Sequence, residues 1–252
     1  MIDSANEIKK QWRIISTGAS SIIELRALWP NGIGTSKRAI TKHFSAKDYA
    51  DGDSFRAAFE KETLRLNSEG YNCYIVMNPI RHDFQGNVGS AATDKDIIYR
   101  DLVLVDVDRA TTAKEPANDL ELDEAKKLAE AVEEHLRSKG FSDPLRTMSG
   151  NGHHLYYVLD KLPNDDATTK AIEQFLKGLA TKFNNSTVKI DTGVYNASRI
   201  TKVLGTVARK GIAKHPEIGA IVLECTDLPP YAAKIREAVN LPVFDFNSYK
   251  VV

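Results

Sequence analysis

Residues 102–108 read Leu102-Val103-Leu104-Val105-Asp106-Val107-Asp108, and no other segment narrows the possible folds as far. Four branched aliphatic residues in succession predict a strand buried on both faces. Side chains two apart on a strand point the same way, so both carboxylates leave from one face. A buried strand ending in two like charges on one face needs a counter-charge. For oxygen ligands the usual one is Mg²⁺ or Mn²⁺. The same spacing also occurs at solvated strand ends and in turns, so the metal reading needs other motifs to converge on it.

The rest of the chain sets bounds. With 252 residues it can bury a substantial core. Its 34 basic and 34 acidic residues balance, so only local clustering can argue for a polyanionic partner. Cys73 and Cys225 lie far apart without CxxC spacing. That excludes a disulfide framework and a cysteine-rich zinc site, and fits a reducing compartment. The first residues lack the apolar core of a signal peptide, and no run reaches membrane-spanning length. The expectation is a soluble, cytoplasmic protein with no membrane partner.

The first ~95 residues read as a mixed α/β unit. Strands are expected at residues 22–28 and 73–77, a turn at Trp29-Pro30-Asn31-Gly32 and a helix over 55–66. Residues 81–96 are polar and glycine-containing, which predicts a mobile loop. From Leu102 the pattern becomes a regular alternation. After the aspartate strand come a helix capped near Asn118-Asp119, with Ala125, Leu128, Ala129, Val132 and Leu136 inward, and its stop at Lys139-Gly140. Strands follow at 145–148 and 154–159, joined by Ser149-Gly150-Asn151-Gly152. A second helix starts near Asp165 with Ile172, Phe175, Leu176, Leu179 and Phe183 inward, and a last strand falls over 202–207. That order, β-α-β-β-α-β, is an RRM-like or ferredoxin-like sheet with helices on one face. Its first and third strands are central, so Asp106 and Asp108 should lie near the start of the His154 strand. A further strand at 218–223 and a helix near 231–239 complete an α+β (mixed α/β) chain. It divides into an N-terminal α/β module (1–97) and an RRM-like module (98–252), which together form one domain.

Three segments carry chemistry. In Ser149-Gly150-Asn151-Gly152-His153-His154, two glycines within four residues would let the backbone approach a bulky ligand such as a triphosphate. His154 opens a strand with Tyr156 and Val158 on its own face and could contact a phosphate or sugar, whereas His153 reads as structural. Asp191 ends the short apolar stretch Val188-Lys189-Ile190. It could be a third carboxylate, or simply initiate the turn completed by Gly193. Lys189, Arg199, Lys202, Arg209, Lys210 and Lys214 then fall within 187–214, where Asp191 is the only acid. Such cations could clamp a triphosphate or a template backbone, and the interleaved Gly205 and Gly211 point to backbone close to a ligand.

Taken together, these motifs resemble the archaeo-eukaryotic primase superfamily, and most closely the primase-polymerase domains of phages, plasmids and other mobile elements. Asp106 and Asp108 match its apolar-DxD motif, Gly152-His153-His154 its small-x-His motif, and Asp191 its later apolar-Asp motif. Arg199, Gly205-Thr206 and Lys210 sit in register with an Arg and a GT…K stretch of the mobile-element branch. The Glu24-Leu25-Arg26 strand and the Asn78-Pro79 strand end look like its N-terminal module.

The resemblance implies template-directed nucleotidyl transfer, a DNA primase-polymerase that makes or extends primers on a single-stranded DNA template. Asp106, Asp108 and Asp191 would hold two Mg²⁺ or Mn²⁺ ions, roughly 4 Å apart in such sites. His154 would contact the incoming dNTP or NTP. Ser149, Gly152, Arg199 and Lys210 would serve nucleotide and phosphate binding, and Lys202, Arg209 and Lys214 would meet DNA. Arg26, Asn78 and Arg81 are candidates for the template path, each equally explained as structural. Many relatives carry a zinc module, but this chain has no cluster to build one, so no zinc is expected. Relatives are often fused to a helicase. No GxxxxGK[ST] loop occurs here, so a helicase would follow in a longer protein or act in trans. Two other readings compete. A tyrosine-dependent replication initiator wants two histidines one residue apart, which the adjacent His153 and His154 do not supply. A binding-only module would grip single strands through Tyr156 and Tyr157.

Overall fold

In a computed structural model the described residues are 4–15, 22–30, 37–85, 89–111, 117–209, 221–222 and 243–244. The elements are α1 (Ser4–Ile15), β1 (Ile22–Leu28), β2 (Ile40–Ser45), α2 (Gly52–Ser68), β3 (Asn72–Val76), β4 (Tyr99–Arg109), α3 (Asp119–Ser138), β5 (Leu145–Met148), β6 (His153–Pro163), α4 (Asp166–Phe183), β7 (Val188–Ile190), β8 (Ile200–Lys202), β9 (Ile221–Val222) and β10 (Val243–Phe244). Two four-stranded antiparallel sheets organise the α+β fold, ordered β2-β1-β3-β8 and β5-β6-β4-β7. β9 and β10 pair in parallel as a separate ribbon.

β4 forms as its sequence requires. Leu102, Val103, Leu104, Val105 and Val107 are all buried, each contributing about 1.5–3 kcal/mol by leaving water. It is central in the second sheet beside β6, with Asp106 opposite His154. α3 packs against β4, β6 and β7, and α4 against β7 and α3. The predicted caps are present. Asn118 accepts from the Glu121 N–H (2.9 Å) in a reciprocal capping box, Asp165 accepts from the Thr168 N–H (2.8 Å), and Gly140 follows α3 at φ +89°.

The closing strand differs from expectation. The strand predicted over 202–207 does not complete the second sheet. β7 does so, and Ile200–Lys202 instead joins β3 in the first sheet. The reason lies in local hydrogen bonding. Asn184 Oδ1 accepts from the Ile190 N–H (2.8 Å), and Asn185 Oδ1 accepts from Thr187 and Val188 N–H (2.8 and 2.9 Å). The chain leaving α4 is thereby folded back onto β4 within a few residues. Beyond Lys202, Thr206 bends back onto the Val203 carbonyl and Gly205 takes φ +75°, which ends extended structure.

α1 and β2 escaped the sequence reading. Ile8, Trp12 and Ile15 recur at helical spacing and are buried, with Trp12 against Phe55 and Phe59 of α2. Gln11, buried among them, donates to the Lys202 carbonyl (2.9 Å) and accepts from the Leu204 N–H (3.0 Å). One hydrophobic cluster runs from α1 and β1 through β3, β4 and β6 to Val203. The first sheet and α1 thus both draw on residues 200–205, across the boundary expected after residue 97. The described part of the 81–96 segment is tied down: Arg81 N–H donates to Asp96 O (2.8 Å), and Asp94–Asp96 forms a 3₁₀ turn capped by Thr93. Of the elements expected near the C-terminus, only Ile221–Val222 of the 218–223 strand is described; the 231–239 helix lies outside the described residues. Among those residues, no helix is long and apolar enough to cross a membrane.

Candidate functional site

The helix-free face of the second sheet meets the first sheet at a cleft of about 160 Å³. Leu104, Asp106, Asp108, His154 and Ser149 line it from one side. Asn72 and Tyr74 of β3, Ile200, Thr201 and Lys202 of β8, Arg199 and Ala208 line it from the other. The acids of β4 therefore face Lys202 of the other sheet and Arg199 just before its strand.

Asp106 sits at the centre. His154 Nε2 lies 3.4 Å from Asp106 Oδ1, and its ring is buried. The other ring nitrogen, Nδ1, meets the Tyr156 hydroxyl at 3.1 Å, and that hydroxyl meets Thr201 Oγ1 at 2.5 Å. Asp108 Oδ1 accepts from the Arg109 N–H (2.8 Å). Asp191 follows β7 directly, and its N–H donates to the Asp106 carbonyl (2.8 Å), which continues the β4–β7 register by one residue. Its Oδ1 accepts from the Gly193 N–H (2.8 Å) as in an Asx turn, and Arg199 Nη2 stands 4.0 Å from Oδ2. The turn and the juxtaposition with Asp106 coexist.

Six of the predicted site residues share the cleft: Asp106, Asp108, Ser149, His154, Arg199 and Lys202. Asp191 is at its rim, half exposed, and does not line it. Among the described residues no three His, Cys, Asp or Glu side chains come together as a metal site. Asp108 and Asp191 each accept from a nearby backbone N–H, and Asp106 faces His154. The donor chemistry of Asp106 and Asp108 still fits a hard divalent cation, because both carboxylates serve one cleft without a sulfur ligand nearby. Lys210 and Lys214 lie outside the described residues.

Two of the four glycines have packing reasons of their own, and Gly211 lies outside the described residues. A Cβ on Gly152 would stand 1.9 Å from the Val107 carbonyl oxygen, so this glycine lets the hairpin approach the aspartate strand closely. A Cβ on Gly205 would meet Ser4 O at 2.7 Å, so that glycine serves α1 packing. Arg209 is anchored through its backbone, with its N–H on Asn72 Oδ1 (2.8 Å) and its carbonyl on Asn72 Nδ2 (3.1 Å), and it does not line the cleft. Arg26 is committed to Glu24 and the Ala92 carbonyl, and Arg81 to Asp83. Asn78 is buried: it donates to Ala197 O (2.9 Å) and accepts from the N–H groups of Asp101 and Leu102 (3.2 and 3.3 Å). None of these three lines the cleft.

His153 points away from His154, as adjacency on a strand demands. Burial, then the nearby Arg146, hold its ring below its ordinary pKa. Tyr156 and Tyr157 are both buried, so neither offers a ring on which a base could stack. The sequence reading missed Asn72, Tyr74 and Thr201. The alternation in Asn72-Cys73-Tyr74 marks the first two, whereas nothing local marks Thr201.

No family model matches the chain. Among curated proteins, short segments match dimethylsulfoniopropionate lyases. One from Emiliania huxleyi is 40% identical over 50 residues, 20% of this chain and 10% of that protein. One from Durusdinium sp. clade D is 45% identical over 47 residues, 19% of this chain and 16% of that protein. The chain thus spans less than a fifth of the length of these two relatives. Among solved structures, the primase-polymerase domain of cyanophage S-2L aligns at 17% identity and TM-score 0.48, over 79% of this chain and 80% of that one. The polymerase domain of Mycobacterium tuberculosis ligase D in complex with DNA aligns at 13% identity and TM-score 0.47, over 80% and 74%. At TM-scores below 0.5 neither likeness carries a conclusion about this chain.

Proposed function

We propose that this protein is a template-directed nucleotidyltransferase, a DNA primase-polymerase that makes or extends primers on single-stranded DNA for replication of a mobile element. One observation carries the reading: two acids of one strand, a histidine of its neighbour, and the cations Lys202 of β8 and Arg199 just before it border a single cleft. An arrangement with acids on one wall and cations on the other suits a polyphosphate bound through divalent ions. The motif resemblance supports the same reading. The fully buried Tyr156 and Tyr157 count against a binding-only module built on stacking.

In this mechanism Asp106 and Asp108 would hold Mg²⁺ or Mn²⁺, with Asp191 as a third carboxylate. The ions, when bound, lower the pKa of the attacking 3′-hydroxyl and neutralise charge on the leaving pyrophosphate. The chain's own residues bind and orient. Arg199 and Lys202 offer cationic donors to phosphate oxygens, His154 directs Nε2 at the same space, and Ser149 closes its end. Lys210 serves phosphate and Arg209 and Lys214 the DNA backbone, with a helicase in the same longer protein or in trans.

The test is nucleotide incorporation on single-stranded template, with and without an annealed primer, using dNTPs and NTPs separately with Mg²⁺ or Mn²⁺. Products that the Asp106→Ala/Asp108→Ala variant fails to make are expected, and growth without primer would mark a primase. No incorporation by folded protein under any combination would overturn the reading.

A further inference from the structure

We propose that Tyr156 is the positioning residue of His154. Its buried hydroxyl, held by Thr201 from the other sheet, donates to Nδ1 and so fixes the imidazole with its remaining N–H, on Nε2, aimed into the cleft. This rests on the proposed function only for its purpose, not for its geometry.

Proton bookkeeping selects this polarity. Tyr156 and Thr201 each have one hydroxyl hydrogen to place among two contacts, Thr201–Tyr156 at 2.5 Å and Tyr156–His154 Nδ1 at 3.1 Å. If Nδ1 carried the hydrogen of a neutral ring, the bare Nε2 lone pair would face Asp106 Oδ1 at 3.4 Å, acceptor against acceptor. With the hydrogen on Nε2 every contact is satisfied: Thr201 donates to Tyr156, Tyr156 to Nδ1, and Nε2–H points at the carboxylate. The tyrosine oxygen then accepts from Thr201 and keeps its own hydrogen for the histidine. Burial pushes the hydroxyl well above its ordinary pKa, so it keeps that hydrogen at neutral pH. His154 is therefore presented as a donor suited to an anionic phosphate oxygen. The device joins the two walls of the cleft, since Thr201 belongs to β8 and Tyr156 to β6.

The experiment is a long-range ¹H–¹⁵N correlation on metal-free protein labelled with ¹⁵N-histidine, in mildly alkaline buffer. His154→Gln assigns the signal among the six histidines. The wild type should show the Nε2–H form alone. Tyr156→Phe should give a mixture of tautomers and bind inorganic triphosphate with Mg²⁺ about tenfold more weakly, the worth of one positioned hydrogen bond. Thr201→Val, which cuts the chain one link further out, should also mix the forms, and Thr201→Ser should restore the wild-type pattern. An Nδ1–H signal in the wild type, or an Nε2–H form unchanged in both Tyr156→Phe and Thr201→Val, overturns the proposal. A protein that makes no nucleic acid yet shows these tautomer patterns would overturn the proposed function and leave the positioning intact.

Discussion

Gly152 has no room for any side chain, because Val107 and Asp108 lie where its Cβ would be. Gly152→Ala must push the hairpin off the aspartate strand, and overpacking against backbone costs about 3 kcal/mol. A thermal melt should show that loss; an unchanged melting temperature would mean the hairpin moves freely. Glu24 makes a second prediction at this scale. Burial alone would raise its carboxyl, but hydrogen bonds from His43 (2.8 Å), the Ala92 N–H (2.6 Å) and Arg26 outweigh it and hold the pKa below the ordinary 4.5. A carboxyl lowered by folding adds stability that is complete above its unfolded value and is lost as pH falls through the folded one. Denaturant unfolding of the wild type should therefore weaken progressively below about pH 4.5. Glu24→Gln should be less stable at neutral pH and flatter over that acid range; parallel curves would remove Glu24 from the acid response. At this scale the sequence was legible where chemistry is local. Asp106, Asp108 and His154 announce themselves by spacing, whereas Thr201 is ordinary in sequence and gains its role only from a partner 45 residues away.

Between elements, the segment 195–199 that joins β7 to β8 is fastened at several points. Met77 N–H donates to Arg199 O (3.0 Å), Asn78 to Ala197 O (2.9 Å) and Arg100 to Tyr195 O (2.6 Å), while Asp94 accepts from both the N–H and hydroxyl of Ser198 (2.7 Å each). Asn78 links this segment to the start of β4, so Arg199 and Asp106 are set from one point. Asn78→Ala leaves two buried N–H groups and a carbonyl without that partner, costing about 2–4 kcal/mol. Its activity should fall even in protein that remains folded at low temperature. Full activity per folded molecule would show that the fastening serves stability alone. Long, patterned elements were legible: β4 from its apolar run, α3 and α4 from stripe and cap. β7 was not, because three residues give no period, and β2 was not, because of its six residues only Phe44 is buried. The expected strand at 202–207 failed because propensity cannot register the asparagine bonds that had already closed the sheet with β7.

Over the whole molecule, the central places of β4 and β6 in the second sheet followed from the sequence alternation but its closing strand did not, and the first sheet takes its last strand from residues 200–202, beyond the division expected after residue 97. A fragment ending at residue 97 would leave β3 with an unpaired edge and α1 without the Lys202 and Leu204 backbone groups that satisfy Gln11. Such a fragment should show no cooperative melt and should aggregate, while the chain through residue 209 melts in one transition. Two separate transitions in that longer chain would mean the halves fold independently.

The same β8 strand has a consequence for how the protein is born. A ribosome emits the chain from the N-terminus at about 5–20 residues per second, so α1, β1 and β3 wait roughly 6–40 seconds for the strand that completes them. During that interval a sheet edge stands open, and pairings this distant in sequence form slowly. That strand and the residue just before it bring Arg199, Thr201 and Lys202 together. The cleft therefore cannot exist in a chain that stops short of β8, and the moment that closes the exposed edge is also the moment that brings in its second wall.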